Sequence, residues 1–486
     1  MIPFLLLTAD ASAAGYYLMD SGTRGVTRAG AFVAGVNDLS AQYYNPAGLI
    51  RLDETQVFVN VSMVSQKVDF TRIDYDSSGN IDYTYDPVEN EDPAMPIPMM
   101  GFSSRFGLEN TVFAFGLYTP SAPTLGYPEE GAQRYSLIDS LILKGSLGPS
   151  VAHRFNDWLT VGAGVAATFV SADYALTLTT CGDTNVCGGT EAAPAGDPTY
   201  DVDIVLAMTD PVRFDWNMGL LVEPTDTLAI GFSMNPPMNV SGSGSIVADF
   251  GEDHYLVTND LLTESSFSDD QVTVLQTLPW IFRLGAAVSP NDRMQIELAG
   301  VYETWGNTEE TVVTDVQLEM GLNAESTLLA LAGDAEIPES VVVEDDIILP
   351  LGFSNTWSIR LGGDFALTDT ITARGGVGYE TSAVPPETQS VASVDGNKII
   401  LGLGGTITLL DRMDLDLGFA QSRLQARSIK NSEVRQIVIP LFPIPLAELD
   451  THFTDLGIDE GDVIGNGEFS SHATFMTAGL TYRFGT

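Results

Sequence analysis

Apolar and polar residues alternate one by one along many stretches of this chain. In "RMDLDLGFAQ" (412–421), the apolar side chains fall on one face of an extended chain, while Asp414 and Asp416 fall on the other. The stretches 293–302 and 356–365 show the same alternation. Successive side chains of a β-strand point to opposite faces, so this period of two predicts strands that are apolar on one side only.

The connections between these stretches alternate between short and long. The short ones carry turn-forming Asn, Asp, Pro and Gly residues. They lie at 105–110, 154–158, 222–227, 288–293, 366–370 and 408–412. We count about 14 strands between residues 54 and 484, including 157–175 and 211–223. Six short turns and seven long loops then place both chain ends on the short-turn side.

These patterns predict an all-β protein that forms a transmembrane antiparallel β-barrel of about 14 strands. Outer-membrane barrels have short periplasmic turns and long outer loops, whereas a β-sandwich has no rule of alternating loop length. The polar strand faces carry Gly and ion-pairing residues, which suits a wide lumen. We therefore expect a monomer in the outer membrane of a Gram-negative bacterium, in contact with membrane lipid and lipopolysaccharide.

The chain has 486 residues and a formal net charge of -44, from 65 acidic and 21 basic residues. Phosphate binding requires Lys and Arg, so this charge argues against a nucleic-acid partner. We expect no cofactor. The loop "DYDSSGNID" (74–82) spaces Asp74, Asp76 and Ser78 like the first half of a calcium-binding loop, but Tyr85 occupies the position of the last acidic ligand. A surface Ca²⁺ site and a solvated acidic loop are the two alternatives.

Three further segments organise the chain. Residues 1–13 read as the remnant of a signal peptide, with an apolar run before Ala-Ser-Ala; a disordered apolar end is the alternative. Residues 14–50 contain the compact stretch "AGVNDLSAQYYNPAGL" and predict a hatch folded inside the barrel, with its Asn-Pro-Ala turn against the inner wall near the first strand; a periplasmic tail is the alternative. The barrel itself is expected over 51–486. In an exported protein, Cys181 and Cys187 predict a disulfide in an outer loop.

The predicted hatch resembles the N-terminal hatch of the FadL/TodX family, which transports long-chain fatty acids and aromatic hydrocarbons across the outer membrane. The match includes the family's Asn-Pro-Ala motif at Asn45, Pro46 and Ala47, and further similarity spans nearly the whole mature chain. The resemblance implies passive uptake of hydrophobic compounds, most simply long-chain fatty acids, through outer-loop capture, a lumen pocket, hatch movement and a lateral gap in the wall. An aromatic hydrocarbon channel and a structural or receptor barrel are the alternatives.

Two groups of residues are candidates for ligand binding. The outer-loop stretch 436–449 is strongly apolar, which is typical of binding surfaces, although it could equally pack as a lid. Its candidate contacts are Ile437, Val438, Leu441 and Phe442. The alternation also points Arg283, Arg360 and Arg374 into the lumen, where a fatty-acid carboxylate could pair with them. Internal ion pairs with wall carboxylates are the other role for these arginines.

We expect no enzyme activity. The four histidines are scattered along the chain, and neither G-x-S-x-G nor H-E-x-x-H occurs. No catalytic residue is therefore predicted.

Overall fold

The chain folds into a closed barrel of fourteen antiparallel strands in the computed structural model. The structure describes residues 20–181, 196–323, 339–344, 346–409, 412–442 and 459–484. The barrel strands are β1 (Gln56–Tyr75), β2 (Met95–Ser104), β3 (Thr111–Ser121), β4 (Asp139–Asn156), β5 (Leu159–Cys181), β6 (Asp201–Thr225), β7 (Leu228–Asn235 and Met238–Asp249), β8 (Ser266–Leu278 and Ile281–Asn291), β9 (Met294–Glu303 and Glu310–Thr314), β10 (Ile347–Pro350 and Thr356–Ala366), β11 (Ile371–Glu380), β12 (Lys398–Leu409), β13 (Met413–Leu424) and β14 (Gly467–Arg483).

Each strand pairs with its neighbour in sequence, and the first strand pairs with the last. β1 and β14 join along their whole length, from Gln56 opposite Arg483 to Arg72 opposite Gly467. This seam closes the sheet and leaves no edge strand, as a membrane barrel requires. The predicted fourteen-stranded barrel, with short turns at one end and long loops at the other, is confirmed.

The strands β5 and β6 are longer than predicted. They reach Leu159–Cys181 and Asp201–Thr225 and pair as far as Thr179 opposite Asp201. Their outer parts continue the alternation, and Val202, Ile204 and Leu206 of β6 are buried in an apolar cluster. Shorter strands in the outer region are Ile81–Thr84, Val88–Glu89, Thr124–Gly126, Gln317–Gly321, Ser340–Glu344, Arg427–Ile429, Arg435–Phe442 and Asp459–Val463.

The two faces of the wall differ in chemistry. Large apolar side chains are exposed on the outer face, among them Leu403, Phe214 and Met476. Charged and amide side chains are buried on the inner face, including Glu297, Arg360 and Lys398. This is the reverse of a soluble protein and fits an apolar belt in contact with lipid around a polar lumen.

Helical structure is sparse. The α-helices are α1 (Thr23–Thr27), α2 (Ala41–Tyr44) and α3 (Tyr255–Thr258), and the 3₁₀ helices are Pro46–Arg51, Pro198–Tyr200, Trp305–Asn307 and Pro386–Thr388. Among the described residues, no helix has the length and apolar character needed to cross a membrane.

Helix α3 lies in the outer loop between β7 and β8 and is capped by a buried histidine. His254 is 2% exposed, and its Nδ1 accepts a hydrogen bond from Leu256 N at 3.1 Å. Its Nε2 lies 3.1 Å from Thr180 Oγ1 on β5. Burial lowers the pKa of His254 from 6.5 to about 4. Protonation of the ring would add a hydrogen to Nδ1. Nδ1 could then no longer accept from the Leu256 N–H, and the cap would be lost.

We expect this loop to loosen in mild acid. The pKa of His254 is lower in the folded loop than in the opened loop. As the pH falls, the histidine of the opened loop is therefore protonated at a higher pH than that of the folded loop. The cap is therefore fully stabilising above about pH 6.5 and weakens as the pH falls toward 4. Between pH 7.5 and 5.0, amide exchange across 254–261, corrected for its intrinsic pH dependence, should accelerate in the wild type but not in His254→Gln. The variant His153→Gln, at an exposed histidine, serves as control. Unchanged protection of the wild-type loop would contradict the prediction.

Candidate functional site

The segment 20–51 lies inside the barrel. It contains α1, α2 and the 3₁₀ helix Pro46–Arg51, and every residue of 20–50 except Asn37 is buried. Helix α1 packs against β11–β14, and the 3₁₀ helix packs against β3–β6. The segment therefore spans the lumen between opposite sides of the wall.

The Asn45-Pro46-Ala47 turn is fixed by three hydrogen bonds from one side chain. Asn45 Nδ2 donates to Val33 O and to Leu220 O on β6, both at 3.0 Å, while its Oδ1 accepts from Ala47 N at 3.1 Å. We expected this turn beside the first strand, and that position is wrong. The turn lies against β5 and β6, because Gly162 and Gly219 leave room there for a close backbone approach. A Cβ at Gly162 would collide with the Pro46–Ala47 backbone.

A single wall carboxylate holds the bend at residues 33–35. Glu297 of β9 is fully buried and accepts hydrogen bonds from the backbone N–H groups of Val33, Ala34 and Gly35 at 2.6, 2.8 and 2.8 Å. Arg28 of the same segment adds an ion pair to Glu297 at 3.1 Å. Three successive N–H groups around one carboxylate form an anion-binding nest. Here the anion belongs to the protein itself.

Ion pairs attach the segment to the wall at two further places. Arg24 lies 2.9 Å from Asp414 and 3.2 Å from Asp416. Asp20 lies 2.9 Å from Arg360 on β10. Breaking a buried pair by removing one partner costs about 3–5 kcal/mol, because the other charge is left unpaired. These pairs therefore favour the closed position of the segment.

The three arginines predicted to face the lumen do so, but their surroundings differ. Arg360 also pairs with Glu380 at 2.8 Å, and Arg374 pairs with Asp364 and Asp416. Both are thus neutralised by carboxylates of the protein. Arg283 is different: in the described part of the chain, no carboxylate oxygen lies within 4.0 Å of its guanidinium.

The direct contacts of Arg283 are neutral, and its charge acts on the buried carboxyl groups of Glu303 and Asp20 only at longer range. Its Nη1 donates to Asn235 Oδ1 at 2.8 Å, and its Cζ lies 4.9 Å from the ring centroid of Tyr43 on the inner segment. Arg283 is 5% exposed. Glu303, on the neighbouring strand β9, accepts from Trp305 Nε1 at 2.6 Å. This leaves a buried cation above the inner segment that could accept a carboxylate from a ligand.

The wall has an opening between β2 and β3. Their ladder ends at Met99 opposite Tyr118, and hydrogen bonding resumes where Thr124 Oγ1 donates to Asp92 Oδ1 and Glu91 N donates to Gly126 O, both at 2.8 Å. Prolines line both sides and supply no N–H donors for pairing. They are Pro93, Pro96 and Pro98 on one side and Pro120 and Pro123 on the other.

The inner rim of this opening is apolar and touches the inner segment. Ile97 and Ala122 on the two sides belong to one buried cluster with Val26 and Ala29. The sequence analysis did not identify this site. The available signal was the run of prolines within "MPIPMM" and "TPSAP" (95–100 and 119–123), because a proline-bearing strand segment loses pairing donors on the affected side.

The outer half of the lumen holds a large apolar cluster, here called the outer cluster. It includes Met208, Met238, Leu262, Trp305 and Phe353. The predicted outer-loop contacts lie over it.

Within the loop, Val438 is 5% exposed and Ile437 packs against the outer cluster. The strand Arg435–Phe442 pairs with the end of β5 in a parallel arrangement. The side chains of Leu441 and Phe442 lie outside what the structure describes. This stretch therefore covers the outer cluster instead of standing free in solvent.

The predicted calcium loop and the predicted disulfide are the two remaining candidate sites. Asp76 accepts from Ser78 N at 2.9 Å and Asn80 N at 2.8 Å, whereas Asp74 pairs with Arg72 at 3.1 Å. No group of three or more His, Cys, Asp or Glu side chains suited to a metal ion occurs among the described residues, so calcium here stays a prediction. Cys181 is buried at the end of β5, and Cys187 lies outside the described residues, so their disulfide also stays a prediction.

The Asn45 bonds generate a test of how firmly the segment is held. Asn45→Ala removes two donor bonds and leaves two buried carbonyls unpaired, which should weaken the attachment by about 1–3 kcal/mol. Ion conductance in planar bilayers should rise, with more frequent open events. Asn37→Ala, in the same segment but exposed, removes one 3.2 Å bond from Arg24 and should have a smaller effect. Equal conductance of wild type and Asn45→Ala would contradict this attachment.

Comparison with known proteins agrees with this architecture. The sequence profile of the family described as "Outer membrane protein transport protein (OMPP1/FadL/TodX)" matches residues 4–454. The long-chain fatty acid transport protein of Escherichia coli O6:H1 is 21% identical over 444 residues, which cover 88% of this chain and 90% of that protein. A putative outer membrane protein of Neisseria meningitidis serogroup B is 26% identical over 133 residues, and the match spans only 28% of its length.

Solved structures share the fold. A Pseudomonas aeruginosa FadL homologue superposes with a TM-score of 0.70 at 16% identity, covering 97% of this chain and all of that one. The Pseudomonas putida toluene transporter TodX gives a TM-score of 0.61 at 14% identity, covering 96% and 99% of the two chains. With the family profile matching most of its length, this chain belongs to the OMPP1/FadL/TodX family of outer-membrane transport proteins.

Proposed function

We propose that this outer-membrane transporter takes up long-chain fatty acids by passive diffusion. In this proposal the outer cluster and its covering loop capture the alkyl chain, and Arg283 receives the carboxylate. Segment 20–51 then acts as a hatch, and the ligand leaves sideways through the opening between β2 and β3.

The observation that carries this proposal is the pairing state of Arg283. Burying a cation without a carboxylate partner is unfavourable, and most lumen arginines in this barrel have such a partner. A fatty-acid carboxylate would supply the missing partner, and a guanidinium can bind it through two parallel hydrogen bonds. An aromatic hydrocarbon has no group that could do so.

The opening between β2 and β3 supports the lateral release step. Its rim residues Ile97 and Ala122 contact Val26 and Ala29 of the hatch, so movement of the hatch would uncover an apolar path toward the lipid. An alkyl chain on this path would remain in apolar surroundings from the lumen to the bilayer. Apart from the single cation at Arg283, the route therefore favours a long apolar ligand.

Arg283→Gln tests the proposal. It should weaken the binding of palmitate by about 1.5–3 kcal/mol, or roughly ten- to a hundredfold, because a charge-assisted bond is lost. The affinity for hexadecanol, which has the same chain without the charge, should hardly change. Binding to detergent-solubilised protein can be measured by isothermal titration calorimetry for both ligands.

Two controls sharpen this test. Arg283→Lys keeps the cation and should retain most of the palmitate preference, while Arg154→Gln changes a half-exposed arginine paired with Glu223 at 3.6 Å and should leave both affinities unchanged. If the wild type binds toluene but shows no preference for palmitate over hexadecanol, the chain is an aromatic hydrocarbon channel and the fatty-acid proposal is wrong.

A further inference from the structure

The wall has a second interruption, between β6 and β7. Below it the last pair is Met218 opposite Met234, and above it pairing resumes at Thr209 opposite Ser243. Between these points, residues 210–217 of β6 and 235–242 of β7 form no backbone pair with each other, and all of them are described. We call this region the β6–β7 gap.

The residues along the gap disfavour its closure. Pro211 on β6 and Pro236 and Pro237 on β7 have no N–H to donate. β6 also bulges against β5, where Thr168 lies opposite Arg213 but Val170 lies opposite Asp210. Residues at several positions on both strands therefore prevent regular pairing here.

Side chains bridge the upper end of the gap. Asp210 Oδ2 accepts from Ser241 N at 3.1 Å, and Arg213 Nη2 donates to Ser241 O at 3.1 Å. Arg213 Nε also donates to Asp210 Oδ2 at 2.5 Å. These bonds replace the ladder around Ser241 and hold the upper rim in place, with the Arg213 side chain 38% exposed.

The gap lies at the outer edge of the apolar belt. On its lower side the exposed residues are apolar, with Phe214 at 74% and Met218 at 41% exposure, whereas the exposed Asn239 and Ser243 follow on its upper side. The rings of Trp216 and Trp280 meet edge to face at 6.5 Å between their centroids. Aromatic girdles mark the membrane interface of such barrels, so the gap faces the outer leaflet.

The inner side of the gap is apolar on β7, whereas on β6 the buried Asp215 lies 3.8 Å from Lys144 of β4. Met238 and Val240, 6% and 2% exposed, are on its inner face and belong to the outer cluster. Directly below, Asn217 Nδ2 donates to Gln42 O of the hatch at 2.6 Å. The gap therefore opens above the hatch, whereas the β2–β3 opening has hatch residues in its rim.

Unpaired backbone at membrane depth costs several kcal/mol for each group and is tolerated where it lines a cavity or a path. Resting on the proposed function, we infer that the β6–β7 gap is a lateral entrance for single-chain anionic amphiphiles already dissolved in the outer leaflet. The alkyl chain passes between Trp216 and the β7 prolines to the outer cluster.

The entrance can be tested by closing it reversibly. In a Cys181→Ser, Cys187→Ser parent, Phe214→Cys and Asn239→Cys are joined by a bifunctional methanethiosulfonate, which dithiothreitol later removes. The matched control joins Ile230→Cys to Ala286→Cys, two exposed residues that face each other in the intact ladder of β7 and β8. Recovery after reduction shows that an effect comes from closure and not from misfolding.

A diazirine-bearing palmitate serves as the probe. It is supplied either dissolved in phosphatidylcholine–phosphatidylglycerol vesicles that hold the protein or from albumin in the aqueous phase. A light flash soon after mixing fixes the label, and mass spectrometry locates it. Closure of the gap should lower labelling of the outer cluster several-fold when the probe is dissolved in the membrane. Labelling by the albumin-delivered probe should not change. Reduction of the link should restore the original labelling. The control link should change neither.

Three results would overturn the inference, and they differ in what else they affect. Equal labelling with the gap closed and open leaves the proposed function intact but removes the entrance. A diazirine phospholipid could label residues 210–217 and 235–242 even in the presence of excess palmitate. This result would mean that a membrane lipid occupies the gap and closes it. Absence of palmitate label in the lumen from either source overturns the proposed function and the entrance with it.

Discussion

The interior of this barrel depends on buried charges that are shared between the hatch and the wall. Glu297 is the centre of this arrangement: a fully buried carboxylate that accepts three backbone N–H groups and one arginine from the hatch. Neither side could keep its charge in this place without the other. Covering Glu297 with the inner segment removes it from water at a cost of several kcal/mol, and the N–H groups and the arginine of that segment offset this cost. The hatch and the barrel are thus parts of one electrostatic unit.

The same principle separates structural arginines from the one available to a ligand. Arg360 and Arg374 complete pairs with carboxylates of the chain, whereas the direct contacts of Arg283 are an amide and an aromatic ring. The strand pairing of the wall is interrupted at two places, between β2 and β3 and between β6 and β7, and prolines line both. As a member of its family the chain is an outer-membrane transporter and not an enzyme.

Local patterns predicted much of this fold, and the limits have physical causes. Period-two alternation placed Arg283, Arg360 and Arg374 on the inner face correctly, because side-chain direction in a strand is a local property. It could not predict that Asp20 neutralises Arg360 from 340 positions away, nor that the Asn45 turn lies against β5 and β6. Those contacts depend on how the hatch crosses the lumen. The outer extension of β6 was missed although the stretch "DVDIVLAM" (201–208) continues the alternation.

The most direct test of the account is the ion conductance of the barrel with and without residues 20–50. Both proteins are reconstituted in planar bilayers after heat-modifiable migration has confirmed that each barrel is folded. The intact chain should stay nearly closed to ions, and the shortened chain should show large, stable open steps, because the hatch fills a lumen that the wall side chains leave open. Equal conductance of the two proteins, whether both closed or both open, would contradict the claim that the hatch closes the barrel.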